Sequence, residues 1–168
     1  AGSMSRIRPD QYLLPSVFDR LLDDEPERQV ESPRSRAQLL RDLKQSVRRD
    51  LECLLNTRIS LFPVPEDLKE LKTSVLNYGV PDFTGLSMGS REQREKLRVL
   101  VEDAIRRFET RFKTVRVETS GGRPRSQDRT IRFRIEGTLY AEPSPEPVSF
   151  DSQLRPQLGD FEVRASTA

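Results

Sequence analysis

The run Ile131-Arg132-Phe133-Arg134-Ile135-Glu136-Gly137-Thr138-Leu139 decides the fold class. Ile131, Phe133, Ile135 and Leu139 alternate with Arg132, Arg134, Glu136 and Thr138. Successive side chains of a strand point to opposite faces, so this pattern predicts a strand buried on one face and wet on the other. The strand is expected over Arg129 to Tyr140. Gly137 interrupts the apolar side and predicts a bulge or a close approach by another backbone.

Working outward, the same period recurs. Val115-Arg116-Val117 reads as a preceding strand, with a polar hairpin loop from Gly121-Gly122 through Asp128. Pro143, Pro145 and Pro147 form a stiff spacer. Val148, Phe150 and Leu154 then alternate over Val148 to Leu154, and a turn at Pro156 to Gly159 leads into Phe161 and Val163 in a last strand, Asp160 to Val163. The order predicts an antiparallel meander whose last strands have few partners. An open sheet edge is a surface that another chain's strand can join.

Upstream the period changes to helical. Ser90 opens a helix ending near Phe108, with Gln93 placed for a capping box. Leu97, Leu100, Val101, Ala104, Ile105 and Phe108 form its apolar face; Glu95, Arg98, Glu102 and Arg106 form a salt-laced solvent face. Ser35 caps an earlier helix to about Thr57, with Leu40, Leu43, Val47, Leu51 and Leu54 as its stripe and Leu39 and Leu55 at the borders. Arg41, Lys44, Arg48 and Arg49 lie off the stripe and read as a solvated face. Cys53 flanks the stripe as a boundary thiol. Between the helices, Glu66 to Leu71 reads as a short helix. The loop Leu76-Asn77-Tyr78-Gly79 and Pro81-Asp82-Phe83-Thr84-Gly85-Leu86 is expected to be packed down by Tyr78, Phe83 and Leu86. Two long helices covering one face of a small antiparallel meander make a two-layer α+β domain, expected over 35–168.

Residues 1–34 read as an arm. Pro15-Ser16 opens a short helix with Val17, Phe18, Leu21 and Leu22 on one face. Two turns are marginal alone and need a surface to dock on, in this domain or on another protein. Asp23 to Arg34 is rich in charge and proline and reads as a flexible tether. Ala1-Gly2-Ser3 before Met4 resembles a tag remnant.

Composition narrows the function. Hydrophobic residues are 34% and charged residues 33%, lean for a freestanding core and consistent with stability drawn from partners. The 29 basic and 27 acidic residues leave a net charge of +2, without the clustered Lys/Arg of a nucleic-acid surface. There is no histidine, which removes the usual general base and the commonest metal ligand. With a single Cys, zinc chemistry and a Ser-His-Asp or Cys-His constellation are also out, and no cofactor is expected. The lone thiol allows no intramolecular disulfide and fits a reducing compartment. No apolar run reaches a membrane span and no secretory signal is visible, so a cytoplasmic location is expected.

Glu109 and Arg111 sit at the helix-to-strand boundary. An arginine there can clamp a carboxylate or carbonyls with its planar fork; the bland alternative is a solvent-exposed pair worth about 0–1 kcal/mol. At this point a resemblance adds to the residues. Pro15-Ser16-Val17-Phe18-Asp19-Arg20-Leu21, the Leu76-Asn77-Tyr78-Gly79-Val80-Pro81-Asp82 loop, Phe108-Glu109-x-Arg111, and Phe133-Arg134-Ile135-Glu136-Gly137-Thr138-Leu139 followed by Val148-Ser149-Phe150-Asp151-Ser152 closely resemble the TssE family. These are baseplate subunits of the bacterial type VI secretion system, similar to the sheath-initiator wedge protein of contractile phage tails. The resemblance runs from Pro15 to Val163. It implies a structural protein that joins the baseplate wedge, receives strands from sheath subunits at its C-terminal sheet and starts sheath polymerisation. Sheath and other wedge subunits are the implied partners. The expected partner-binding residues are Glu109, Arg111, Val148, Phe150, Leu154, Phe161 and Val163, with Val17, Phe18 and Leu21 on the arm. The family's junction reads Glu-Pro-Arg; here Thr110 replaces the proline, restoring an N–H donor and a free φ. A phage-tail wedge protein shares this mechanism. The alternative class, a lysozyme-like peptidoglycan hydrolase, needs two carboxylates about 5–10 Å apart with one in an apolar setting. Most acids here alternate with Arg or Lys, a poor setting for a proton donor.

Overall fold

The computed structural model describes residues 21, 35–59, 67–83, 90–120, 130–141, 144–155 and 158–166. Helix α1 spans Arg36–Asn56 and α2 spans Arg91–Phe108; strands follow as β1 Phe112–Ser120, β2 Ile131–Leu139, β3 Glu146–Arg155 and β4 Asp160–Ala165. The four strands form one antiparallel sheet in the order β1-β2-β3-β4. The fold is α+β, as the alternating and helical periods predict.

Each element forms for a local reason. Ser35 Oγ accepts the Gln38 N–H while the Gln38 side chain accepts the Ser35 N–H, a complete capping box that starts α1. At α2 only half of the expected box forms. Ser90 Oγ accepts the Gln93 N–H at 3.1 Å, but the buried Gln93 Oε1 has no hydrogen-bond partner. In place of the expected helix at Glu66 to Leu71, the chain makes 3-10 turns at Lys69–Thr73 and Val75–Asn77, the first with no side-chain cap. The expected N-terminal helix and tether, with Val17 and Phe18, lie outside the described residues. Leu21 is helical and exposed.

The core lies between the helices and one face of the sheet. Alternation along β2 buries Ile131, Phe133, Ile135 and Leu139 and leaves Arg132, Arg134 and Glu136 exposed. β3 contributes Val148, Phe150 and Leu154, and β4 Phe161 and Val163. Full burial of such side chains stabilises by about 1.5–3 kcal/mol each. α1 supplies Leu43, Val47, Leu51, Leu54 and Leu55; the last is fully buried and not at the stripe's border. α2 supplies Leu97, Val101, Ala104 and Ile105, whereas Leu100, placed on the apolar face by its spacing, is 41% exposed. α1 packs along β4 and α2 along β1, so each helix flanks one edge strand and the middle of the sheet lies between them.

The loop after the 3-10 turns is docked, as its aromatics suggest. Val80 and Phe83 are buried, and Val80 bridges to Arg58 with its N–H donating to the Thr57 carbonyl at 2.9 Å. Phe83 packs edge-on to Phe161, with ring centroids 6.0 Å apart. Gly79 has φ +114° and lies against the Thr57 carbonyl, a position that excludes a side chain. Leu86 lies outside the described residues.

The proline spacer ends sooner than expected, because Pro147 is inside β3 opposite Thr138. β4 stops at Ala165, opposite Phe150, so among the described residues no strand lies beside Pro147 on its β4 side and the missing N–H breaks no ladder there.

Gly137 fulfils its expectation. The register slips between Phe112 and Thr114, a bulge in β1 opposite Leu139 and Thr138, while Gly137 itself pairs with Val115 and lies close against the β1 backbone. A Cβ there would stand 2.3 Å from the Thr114 carbonyl oxygen and 2.8 Å from the Phe112 ring. Gly137→Ala is expected to destabilise the protein by about 1–3 kcal/mol through overpacking, read by urea denaturation. An unchanged midpoint would mean that β1 moves aside freely.

Candidate functional site

α2 ends where Glu109 leaves the helical region, at φ −99° and ψ 84°. Two residues later Arg111 turns back under the helix end. Its Nε donates to Glu109 Oε1 at 2.7 Å and one Nη to Glu109 Oε2 at 2.5 Å, a bidentate clamp. The same guanidinium reaches α1, donating to Ser46 Oγ at 2.9 Å and to Asp50 Oδ2 at 2.6 Å. The Arg111 N–H also donates to Glu109 Oε1, at 3.2 Å. Burial opposes the charge on Arg111, but the hydrogen bonds and charges of Glu109 and Asp50 more than offset this and raise its pKa.

This is not an exposed pair. Glu109 is a buried charged residue at 7% exposure, and Arg111 is mostly covered. Tyr78 stacks edge-on against Phe108 with centroids 5.3 Å apart, beside the clamp. Its phenol is pushed above the usual range, first by burial and then by Cys53, Asp50 and Glu109. Leu43, Asp50, Leu54, Tyr78, Phe108 and the 109–111 junction line an open hollow of about 490 Å³. The clamp therefore joins α1, α2 and β1 in one knot, and Tyr78 brings the docked loop to it.

Sequence reasoning found Glu109 and Arg111 and missed Ser46, Asp50 and Tyr78 as their neighbours. Asp50 lies on α1's polar flank beside Arg49, and only the crossing of α1 by the junction gives it meaning. The other predicted site residues are placed differently from the junction. Val148, Phe150, Leu154, Phe161 and Val163 are all buried in this chain's own core. Strand β3 is moreover interior, paired with β2 and with β4. Among the described residues the edge strands of the sheet are β1 and β4.

Both edges are touched by helix side chains. On β4, the Asn56 amide donates to the Phe161 carbonyl at 2.9 Å, and Asn56 Oδ1 accepts the Phe161 N–H at 2.8 Å. Arg48 Nη1 donates to the Val163 carbonyl at 3.1 Å and to Glu52 at 2.8 Å. On β1, Glu102 Oε2 accepts the Val117 N–H at 3.1 Å, and Arg98 Nη1 donates to the Val117 carbonyl at 3.0 Å. Arg98 and Glu102 are themselves paired at 2.8 Å. The basic flank of α1 thus departs from its expected role: Arg48 grips β4, and Lys44 pairs with Glu146 of β3 at 2.8 Å. A helix lying along an edge strand brings its polar flank within reach of that strand's backbone.

Removing Arg111 leaves buried Glu109 without its clamp. Arg111→Ala is expected to cost about 3–5 kcal/mol by chemical denaturation, and joint replacement of Glu109 and Arg111 by leucine distinctly less. Equal losses in the two proteins would contradict the clamp. Thr110 is exposed, and Glu109 already has the non-helical backbone that a following proline requires. Thr110→Pro is expected to raise stability by about 0.4–1 kcal/mol in a thermal melt.

No curated protein and no solved structure matches the chain. A family described as baseplate wedge protein gp25, which includes TssE, matches residues 41–144. That stretch holds more than half of the 168 residues, including α1 from Arg41, the docked loop, α2, the Glu109–Arg111 clamp and the first two strands. This chain belongs to the gp25 baseplate wedge family, structural proteins of contractile tail systems.

Proposed function

We propose that this chain is a type VI secretion baseplate subunit that joins the wedge and seeds the contractile sheath. It does so by accepting a strand from a sheath subunit at its C-terminal sheet. The observation that carries this reading is the state of β4. It is the last strand and lies at an edge of the described sheet. Along β4 the residues alternate between bonding to β3 and facing outward. Ser166 bonds inward to Ser149, so Phe161, Val163 and Ala165 face out. Asn56 and Arg48 take the Phe161 groups and the Val163 carbonyl. The Val163 N–H and both groups of Ala165 have no protein hydrogen-bond partner among the described residues.

An incoming strand gains affinity from main-chain hydrogen bonds, each worth a net of about 0.5–1.5 kcal/mol. The five core residues of β3 and β4 act in this scheme by holding β4 in place, while backbone groups meet the sheath. The Glu109–Arg111 clamp fixes the helices against the sheet and leaves the hollow beside it for a wedge subunit. Val17, Phe18 and Leu21 supply a second contact through the arm. We read the chain as non-catalytic and its place of work as the cytoplasm. Both Glu109 oxygens are already engaged by Arg111, which suits a strut rather than a proton donor. Among the described residues no helix is long and apolar enough to cross a membrane.

Proline at an outward-facing position removes an edge donor and spares the β3–β4 ladder. Ala165→Pro is expected to keep the melting temperature within a few degrees and to reduce co-assembly with sheath subunits at least about tenfold, as one edge hydrogen bond is lost and the proline ring obstructs the adjoining strand. Wild-type assembly by a folded Ala165→Pro protein would refute strand acceptance at β4. Phe150→Pro, in the interior strand, is expected to unfold the domain.

A further inference from the structure

We infer that Arg58 is a positioning residue that couples the hollow beside the Glu109–Arg111 clamp to the β3–β4 hairpin, acting through the docked loop 78–83. The coupling is a property of this chain alone. Its use, which is to link a wedge subunit in the hollow to the firmness of β4, rests on the function proposed above.

The loop joins the two places. Tyr78 stands in the wall of the hollow, edge-on to Phe108 with centroids 5.3 Å apart. Further along the same loop, Phe83 packs edge-on against Phe161 of β4 at 6.0 Å. Between them the loop is pinned to the segment that follows α1. The Val80 N–H donates to the Thr57 carbonyl at 2.9 Å, and the Val80 carbonyl accepts the Ile59 N–H at 3.1 Å. Gly79 lies so close to Thr57 that a Cβ would stand 2.3 Å from its carbonyl oxygen. A segment held at its ends and its middle does not absorb a shift locally; close packing passes the shift on.

Arg58 sits where the shift arrives. It is bridged to Val80 through the backbone. Its guanidinium lies over the Phe83 ring, 5.5 Å from the centroid, and its Nε is 3.9 Å from Asp82 Oδ1. On the other side Nη1 donates to the Leu55 carbonyl at 3.1 Å and Nη2 to the Gly159 carbonyl in the β3–β4 turn. One planar fork thus touches the helix end, the loop and the hairpin. An arginine serving only to cap α1 would stop at Leu55. This one reaches across 101 positions of chain to Gly159. Gly159 is buried, has φ +67° and donates its N–H to the Arg155 carbonyl at 2.9 Å, so Arg58 grips the residue that makes the turn.

The direction follows from the contacts. A body packed against Tyr78 presses the loop onto Thr57, keeps Phe83 under the guanidinium and steadies the turn. Loss of the Tyr78 anchor lets Phe83 slip from Arg58, and the hairpin loosens. β4 is therefore held most firmly when the hollow is filled. By reciprocity, a firmly held hairpin favours filling of the hollow.

The test is amide hydrogen exchange in the full chain. Tyr78→Leu removes the ring contact with Phe108, at the far end of the loop from β4. It is expected to speed exchange of the Leu158 and Gly159 amides, both bonded to the Arg155 carbonyl, at least about tenfold. The Val117 amide on β1 is expected to keep its wild-type rate. Arg58→Ala is expected to speed the same two amides, and Tyr78→Leu added to it to change them no further. Arg58→Lys, which keeps the charge but not the planar face over Phe83, stands in should Arg58→Ala fail to fold, and is expected to remove the response to Tyr78→Leu in the same way. Acceleration confined to the hairpin and lost without the Arg58 fork supports the inference. No acceleration at the hairpin, equal acceleration at Val117, or effects of the two substitutions that multiply overturn it. Wedge and sheath subunits are absent throughout, so failure here leaves the proposed function to its own test.

Discussion

Arg111 is the tie on which the rest of the structure depends. A guanidinium offers five donors in a rigid fork. Here four hydrogen bonds from that fork go to the carboxylate of Glu109 two residues back and to Ser46 and Asp50 of α1. Three elements that approach from different directions are thereby fixed at one point. α1 lies beside β4 and α2 beside β1, so an error in the junction would be felt at both edges of the sheet. A buried ion pair contributes little net stability relative to apolar packing. What it supplies here is orientation: hydrophobic burial holds the helices on the sheet, and the fork sets their angle and register.

Edge management is the second theme. A four-stranded open sheet has two exposed edges, and an assembly protein cannot simply abolish them as a barrel would. The chain uses polar side chains from the flanking helices instead: Asn56 and Arg48 on β4, Arg98 and Glu102 on β1. These contacts are hydrogen-bonded and reversible. They satisfy the outward groups of Val117 and Phe161 in water-accessible surroundings without sealing them with packed apolar side chains.

Much of the fold was legible because it rests on local periods. The run from Ile131 to Leu139 states its own burial, Gly137 the close approach of the β1 backbone, and Ser35 with Gln38 the start of α1. The failures are equally local in cause. Leu100 keeps helical spacing yet lies on a flank that no described element covers, and Pro147 enters a strand where the described β4 is too short to reach it. At the site, Glu109 and Arg111 were visible as a pair, but the α1 partners of Arg111, Asp50 and Ser46, are 61 and 65 residues away and share no pattern with it. The strand residues expected to meet a partner proved to be core. Alternation reports which side chains are buried and says nothing of which strand is at the edge.

By itself the sequence determined the two-layer α+β class, the positions of the two long helices and of the four described strands, and the junction charges. Periodicity and capping are properties of neighbouring residues and need no third dimension. Tertiary structure alone decided that Arg111 binds α1, that β1 and β4 are the edge strands, and that helix side chains guard them. Strand order and the crossing of two layers are set by how apolar faces close over one another, and no spacing along the chain encodes which distant backbone groups that closure leaves exposed.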